Sequence, residues 1–276
     1  MRCVVQHADV RVVLQKVEDV EQLASEQVRC SGTICSPPRV VPISFRDQDA
    51  LLSLGVEPVA VQDGFYATPY LSWPWVRGYF AGREPAVLAV GEINFEQIAF
   101  LRPDFVVGTA AGLTADEYRI LSNLAPTVAQ LRGYVDFGVP WQESLRTVAR
   151  SVCRDSVADE RIRTLEGAIA DVRERHPALA GATGVVAMGG GAGGSFWVFG
   201  PQDSRTRFLY ELGLRLSPAI APLTDDRFVA TISGERFDLL EADVLLWIGS
   251  SDQRAEVESH PVYRQLDVVR QGRVIH

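Results

Sequence analysis

Short apolar runs alternate with stretches of helical periodicity along this chain. Val59–Val61, Phe105–Val107, Val185–Met188 and Val244–Ile248 are apolar throughout, the mark of strands covered on both faces of a parallel sheet. From Trp141 to Arg175 the pattern changes. Leu145, Val148, Val152, Ile162, Leu165, Ile169 and Val172 recur at mostly helical spacing, and Pro177 stops the run. The second part of this stretch, Ala158–His176, is expected to be a single helix joining two lobes, a connection that limits hinge opening more than a flexible linker would. The expected fold class is therefore α/β: two Rossmann-like lobes with mainly parallel sheets, joined by a long α-helix.

The same order of elements is written twice. Asn94–Val107 aligns without gaps to Ser233–Leu246. In each copy a capping residue (Asn94, Ser233) is expected to open a short helix, with an acid (Glu96, Glu235) at its second position. Leucine closes that helix, and aspartate introduces an apolar strand. Upstream of each copy a helix ends in Leu-Gly: Asp49–Leu54 before Gly55, and Phe208–Leu212 before Gly213, with glycine supplying a left-handed cap.

Composition narrows the classes of function. The chain has 276 residues and a net charge of -8, with no basic run, so the attraction that dominates nucleic-acid binding is missing. No stretch approaches the roughly 20 apolar residues that cross a bilayer, and no signal peptide is visible in the sequence as written. Cys3, Cys30, Cys35 and Cys153 lack the paired spacing of a zinc site; Cys30 and Cys35 either close a small disulfide or are incidental thiols. Lys16 is the only lysine, so basic charge rests on arginines, whose planar forks suit anionic oxygens.

A family resemblance rests on a longer series of motifs. These are Arg39-Val40-Val41, the run Asp47–Val61 through Leu54-Gly55-Val56-Glu57-Pro58, then Glu96-Gln97-Ile98-Ala99, Pro103-Asp104 and Ala125-Pro126-Thr127-Val128. Ile232-Ser233, Glu235, Ala242-Asp243-Val244-Leu245 and Gly272-Arg273-Val274 continue it. In this order the chain resembles the iron-siderophore substrate-binding proteins of ABC importers, from about Pro38 to His276. The resemblance implies the helical-backbone periplasmic-binding-protein fold. It divides the chain into an atypical segment 1–37, an N-terminal α/β lobe 38–157, a connecting helix 158–176 and a C-terminal α/β lobe 177–276. It further implies an extracytoplasmic location, in a family that often carries a lipid-attachment cysteine. Family members continue past Gly272-Arg273-Val274, so a C-terminal lobe ending at His276 is expected to be truncated.

Candidate chemistry falls in three places. The first half carries a longer stretch before its acidic helix, rich in aromatic residues. Tyr66, Tyr70, Trp73 and Trp75 are expected to wall a cleft around a large chelate, with Arg77 and Arg83 meeting its anionic oxygens; a satellite core covering the sheet edge would use the same aromatics. In the second half a glycine-rich turn, Gly189–Gly194, leads into Phe196–Phe199. It lacks the features of a phosphate loop or a dinucleotide fingerprint and is expected to be a flexible edge facing the first lobe, with Trp197 reaching the ligand. Arg227 is a further candidate; Arg205 and Arg207 are weaker ones. The resemblance gives Glu96 and Glu235 another part, one exposed glutamate on each lobe docking into arginine pockets of the importer permease. Helix-dipole complementation explains either glutamate alone.

The function expected is capture of a ferric siderophore by a monomer with no cofactor and no catalysis, for delivery to an ABC permease. His7, His176, His260 and His276 make no triad or general base, and no dinucleotide fingerprint is present, which disfavours a Rossmann-like enzyme. Capture of a bare metal ion would need converging histidines and carboxylates. Haem or a cobalamin-like macrocycle stays open, because aromatic walls and arginines would serve those ligands too.

Overall fold

The computed structural model describes residues 38–63, 68–189, 194–225 and 227–276. Its first sheet is built around β1 (Val40–Pro42), buried at every residue. β4 (Phe105–Gly108) pairs with it in parallel, Val41 opposite Val106, and β5 (Thr127–Ala129) runs parallel to β4. On the other side, β2 (Ala60–Asp63) is joined through the Val59 N–H, which donates to the Val40 carbonyl at 2.9 Å; β3 (Ala86–Ala89) runs parallel to β2. The spatial order is therefore β3-β2-β1-β4-β5, with the winding reversing between β1 and β4.

Helices cover both faces of this sheet. Ser44 caps α1 (Phe45–Ser53), and the chain leaves it through Gly55 at φ 73°, the left-handed conformation that glycine adopts without strain. Leu51 of α1 and Leu54, which caps its C-terminus, pack with Val40, Val107 and, from α4 (Trp141–Ser151), Leu145 and Val148. The opposite face buries Val41 and Val106 against Ile98 of α2 (Phe95–Phe100) and Leu121 of α3 (Ala115–Leu124). Adjacent strand residues thus point to opposite cores, as a pleat with period two requires. Leu51 is fully buried; truncating it to alanine would cost roughly 2–5 kcal/mol.

The connecting helix α5 spans Asp155–Arg175, about 30 Å at the helical rise. It begins three residues before the expected Ala158, because Cys153, at φ 55°, breaks the chain from α4 and Asp155 then starts the first turn. It ends at His176, where Pro177 cannot continue a helix. Ala158 and Ile162 belong to the first core, so the helix is anchored at its N-terminal end.

The second sheet is six-stranded. β6 (Thr183–Met188), β10 (Val244–Ile248) and β11 (Val274–Ile275) are parallel neighbours, and β8 (Arg215–Leu216) pairs in parallel with the start of β6. β7 (Phe196–Phe199) instead runs antiparallel to the end of β6, and β9 (Val229–Ile232) antiparallel to β7. The reversal has a simple cause. Only residues 189–195 separate β6 from β7, whereas a parallel crossover takes a dozen or more. Phe196 stacks on Phe237 at 5.0 Å in a core with Val185, Leu245, Trp247 and Tyr263. On the other face Val186 and Phe199 meet Leu209 of α6 (Ser204–Glu211), which Asp203 caps by accepting from the Arg205 and Thr206 N–H groups.

The two copies of the repeat agree in part. Asn94 caps α2 as expected, accepting from the Gln97 N–H at 2.9 Å. Ser233 caps no helix, and the second copy has only a 3₁₀ turn, Phe237–Leu240. Gly234, just before that turn, lies against the Gly194 carbonyl; a side-chain carbon there would stand 2.4 Å from that oxygen. The aspartates do match. Asp104 accepts from the Arg39 N–H at 2.7 Å and Asp243 from the Thr183 N–H at 2.8 Å, each fastening the start of a strand.

Candidate functional site

In a doubly wound sheet, ligands bind beyond the carboxyl ends of the strands, near the point where the winding reverses. Here that point is occupied by Ser44–Asp47 after β1 and Thr109 after β4. Asp47 is fully buried, accepting from the Ser44 hydroxyl at 2.6 Å and from the Thr109 hydroxyl, which also contacts Ser144 Oγ at 2.6 Å. Burial pushes the Asp47 carboxyl above the usual range, while the two hydroxyls and Arg46 oppose the shift. Beside this network the carboxyl edge opens into a hollow of about 460 Å³ lined by Ile43, Gln62, Leu88, Ala89, Glu92 and the first turn of α2.

The aromatic segment stands on a second carboxylate. Asp49 Oδ1 accepts from the Tyr70 hydroxyl at 2.7 Å and from the Trp75 indole at 3.2 Å. Burial raises the Asp49 carboxyl against those two hydrogen bonds, and burial and the Asp49 charge push the Tyr70 hydroxyl upward. Tyr70 is thereby a core residue, 4% exposed among Leu52, Val61, Val76 and Phe80. It offers no face to a ligand, which corrects its expected place in the cleft wall. Trp73 is half-buried against this cluster, its indole donating to the Thr68 carbonyl at 3.3 Å. Trp75, its ring 4.7 Å from that of Trp73, is 54% exposed. The segment is thus a satellite core below and an open aromatic surface above. Tyr66 lies outside the described residues.

The arginines separate. Arg77 is exposed, its Nε on the Ser72 carbonyl at 3.1 Å. Arg83 is ion-paired with Glu57. Glu57 precedes β2 and Arg83 precedes β3, so the pair sits at the amino edge of the sheet, opposite the hollow; this corrects the expectation that Arg83 faces a ligand. In the second half Trp197 is half-buried on the face of the second sheet that carries Val186 of β6 and Phe199 of β7, and Arg227 is exposed just before β9. The glycine-rich turn falls largely outside the described residues, at 190–193. Glu96 and Glu235 are both exposed.

One arrangement had little signal in the sequence. Three successive carbonyls of the loop before α4 accept from guanidinium groups of both halves. Arg46 donates to Phe137 O at 3.2 Å and to Val139 O at 2.8 Å, and Arg207 to Gly138 O at 2.5 Å. Phe137 packs 5.8 Å from Phe228, and the Trp141 indole donates to Glu211 at 2.9 Å. Arg205, over the Phe199 ring at 3.8 Å, is held by the buried Asp203. Burial lowers both Arg46 and Arg207 from the usual arginine value; Asp47 and Asp203 oppose the shift at Arg46, and Tyr134 and Asp203 at Arg207. These arginines tie the halves together beside α5. Their proximity is a product of the fold, and only Arg205 and Arg207, close to Gly200-Pro201, stood out beforehand.

Residues 48–276 match the family described as periplasmic binding protein. The chain belongs to that family. Such proteins work outside the cytoplasm, and this periplasmic binding protein is extracytoplasmic. A periplasmic solute binding protein from Mycobacterium smegmatis is 34% identical, with 88% of this chain and 83% of that one covered at a TM-score of 0.73. The siderophore periplasmic binding protein from the fuscachelin gene cluster of Thermobifida fusca is 25% identical over 87% of this chain and 88% of its own, at 0.64. PiaA, an iron-uptake ABC transporter substrate-binding protein of Streptococcus pneumoniae, is 23% identical in its complex with ferrichrome, covering 88% and 84% at 0.70. Among the described residues no helix is long and apolar enough to cross a membrane, and no cluster of three or more His, Cys, Asp or Glu side chains could hold a metal ion.

Proposed function

We propose that this periplasmic binding protein captures a ferric siderophore between the two lobes that flank α5 and delivers it to an ABC importer permease, with no catalysis of its own. The observation that carries the reading is the rigid, open aromatic surface at Trp75. An indole 54% exposed yet pinned to Asp49 keeps its face available and loses little freedom when a large chelate covers it. The similar proteins that are named for siderophores and for iron uptake supply the ligand class. Trp73, Trp75 and Arg77 form the first wall; Trp197 and Arg227 stand on the second, with the exposed guanidinium groups facing the anionic oxygens of the chelate.

Glu96 and Glu235 dock the loaded, monomeric protein on the permease. Helix-dipole complementation accounts for Glu96 at the first turn of α2. It does not account for Glu235, because the turn that follows begins only at Phe237. Exposed charges suit an encounter that sets register and then releases.

Titration of the purified protein with ferrichrome, a ferric catecholate, haem and cobalamin, followed by tryptophan fluorescence, tests the reading. Saturable quenching by at least one iron chelate is expected, weakened about tenfold by Trp75→Ala. Saturation by haem or cobalamin alone would reassign the ligand, and a flat response to all four would remove the cleft.

A further inference from the structure

Phe100 is 85% exposed, the highest value of any large apolar side chain among the described residues. Its surroundings give that exposure a direction. Helix α2 buries Ile98 at 1% and packs Phe95 against the first core, and Leu101 at its C-cap continues the same stripe. Glu96, Ala99 and Phe100, spaced i, i+3 and i+4, share the opposite, solvent-facing stripe. The platform is held on both sides, by the Asn94 cap and by Gln97, whose Nε2 donates to the Val87 carbonyl of β3 at 2.9 Å. A bulky ring therefore stands in water one helical turn from Glu96, with only an alanine methyl between them.

The second copy of the repeat provides the control. Phe100 corresponds to Leu239, which is half-buried against the second core, and Ala99 to Asp238, which pairs with Arg236 at 2.8 Å. The two positions compared are thus an ion-paired acid and a half-buried leucine beside Glu235, and an alanine and an exposed phenylalanine beside Glu96.

We infer that Phe100 is the apolar anchor of the permease-docking surface, seated in an apolar pocket beside the cation that receives Glu96. This rests on the docking reading above. Docking is then asymmetric: the first lobe supplies burial and charge together, and the second supplies charge alone. An aromatic side chain desolvated beside an ion pair is the usual makeup of an interface hot spot.

The test measures binding of the full-length, ferrichrome-loaded protein to its permease–ATPase complex in phosphatidylcholine nanodiscs. Empty nanodiscs and sedimentation of the protein alone serve as controls. Phe100→Ala is expected to weaken docking about tenfold and Phe100→Leu less than about threefold, both with unchanged ferrichrome affinity. Glu96→Arg is expected to abolish docking. Wild-type docking by Phe100→Ala alongside failure of Glu96→Arg would overturn the anchor and leave the docking reading standing. Wild-type docking by both would overturn both. Binding to empty nanodiscs, or self-association, that Phe100→Ala removes would assign the ring to lipid or to a second copy and overturn the anchor.

Discussion

The two halves of this protein carry the same sequence unit and use it differently. In both, an aspartate at the head of a strand accepts from a backbone N–H where the neighbouring strand starts, Asp104 from Arg39 just before β1 and Asp243 from Thr183 of β6. Ahead of it the first copy makes a capped helix and the second only a 3₁₀ turn. What recurs is the fastening of strand to strand, which the parallel sheet demands. The element leading into it was free to diverge, because its outer face meets solvent or a partner rather than the core. Buried acids of the two halves diverge as well: Asp47 lies among hydroxyls, whereas Asp203 holds an arginine.

The largest expected effect comes from removing what the halves share. Glu96→Arg combined with Glu235→Arg should abolish importer-dependent uptake, measured with radioiron-labelled ferrichrome, and leave chelate affinity nearly unchanged. Lost affinity would make the glutamates structural. The next comes from the first half alone. Asp47→Ala strands the buried Ser44 and Thr109 hydroxyls and should lower unfolding free energy by roughly 2–4 kcal/mol in urea titration, with Asp47→Asn milder. A loss as small as that of an exposed aspartate would show that the network carries no load. Tyr70→Phe removes one hydrogen bond to a carboxylate and should cost about 1–2 kcal/mol with no change in siderophore affinity. A large loss of affinity would return Tyr70 to the binding surface.

The smallest effect is a pH difference between halves. Burial holds Asp47 above the ordinary carboxylate value, so its contribution to stability is largest at low pH and is lost as pH rises through its folded value. Hydrogen bonds from the Thr183 backbone and hydroxyl hold Asp243 below that value; its contribution is present above the ordinary aspartate pKa of about 3.9 and is lost as pH falls through its folded value. Amide-exchange protection of β6 relative to β4, corrected for intrinsic rates, should therefore fall on acidification below about pH 4. A ratio that stays level would mean the two acids are equivalent.

Much of this was legible in the chain itself. The apolar runs located β4, β6 and β10 to within two residues, and Gly55 and Gly213 both take the left-handed cap conformation, at φ 73° and 97°. Periodicity located α5 but missed its start, since nothing in the spacing distinguishes the backbone break at Cys153 from another helical turn. The antiparallel return of β7 followed from the shortness of the glycine-rich turn, a cue that strand patterns alone do not carry. Aromatic content drew attention to the segment of Tyr70 and Trp75 without separating the two, because both reach Asp49 and only the packing of Leu52, Val61, Val76 and Phe80 decides which ring is buried. Arg83 was misplaced for a related reason: sequence proximity to the aromatics does not say at which edge of the sheet a residue lies. The Arg46 and Arg207 seam joins residues far apart in sequence, which no local pattern could bring together.

Capture of an iron chelate is the claim on which the rest depends, and equilibrium dialysis of the purified protein against radioiron-labelled ferrichrome and a ferric catecholate tests it most directly. Saturable retention of one iron per chain with at least one chelate is predicted, displaced by the same unlabelled chelate. No retention of iron above the level of a non-binding control protein with either chelate would contradict it.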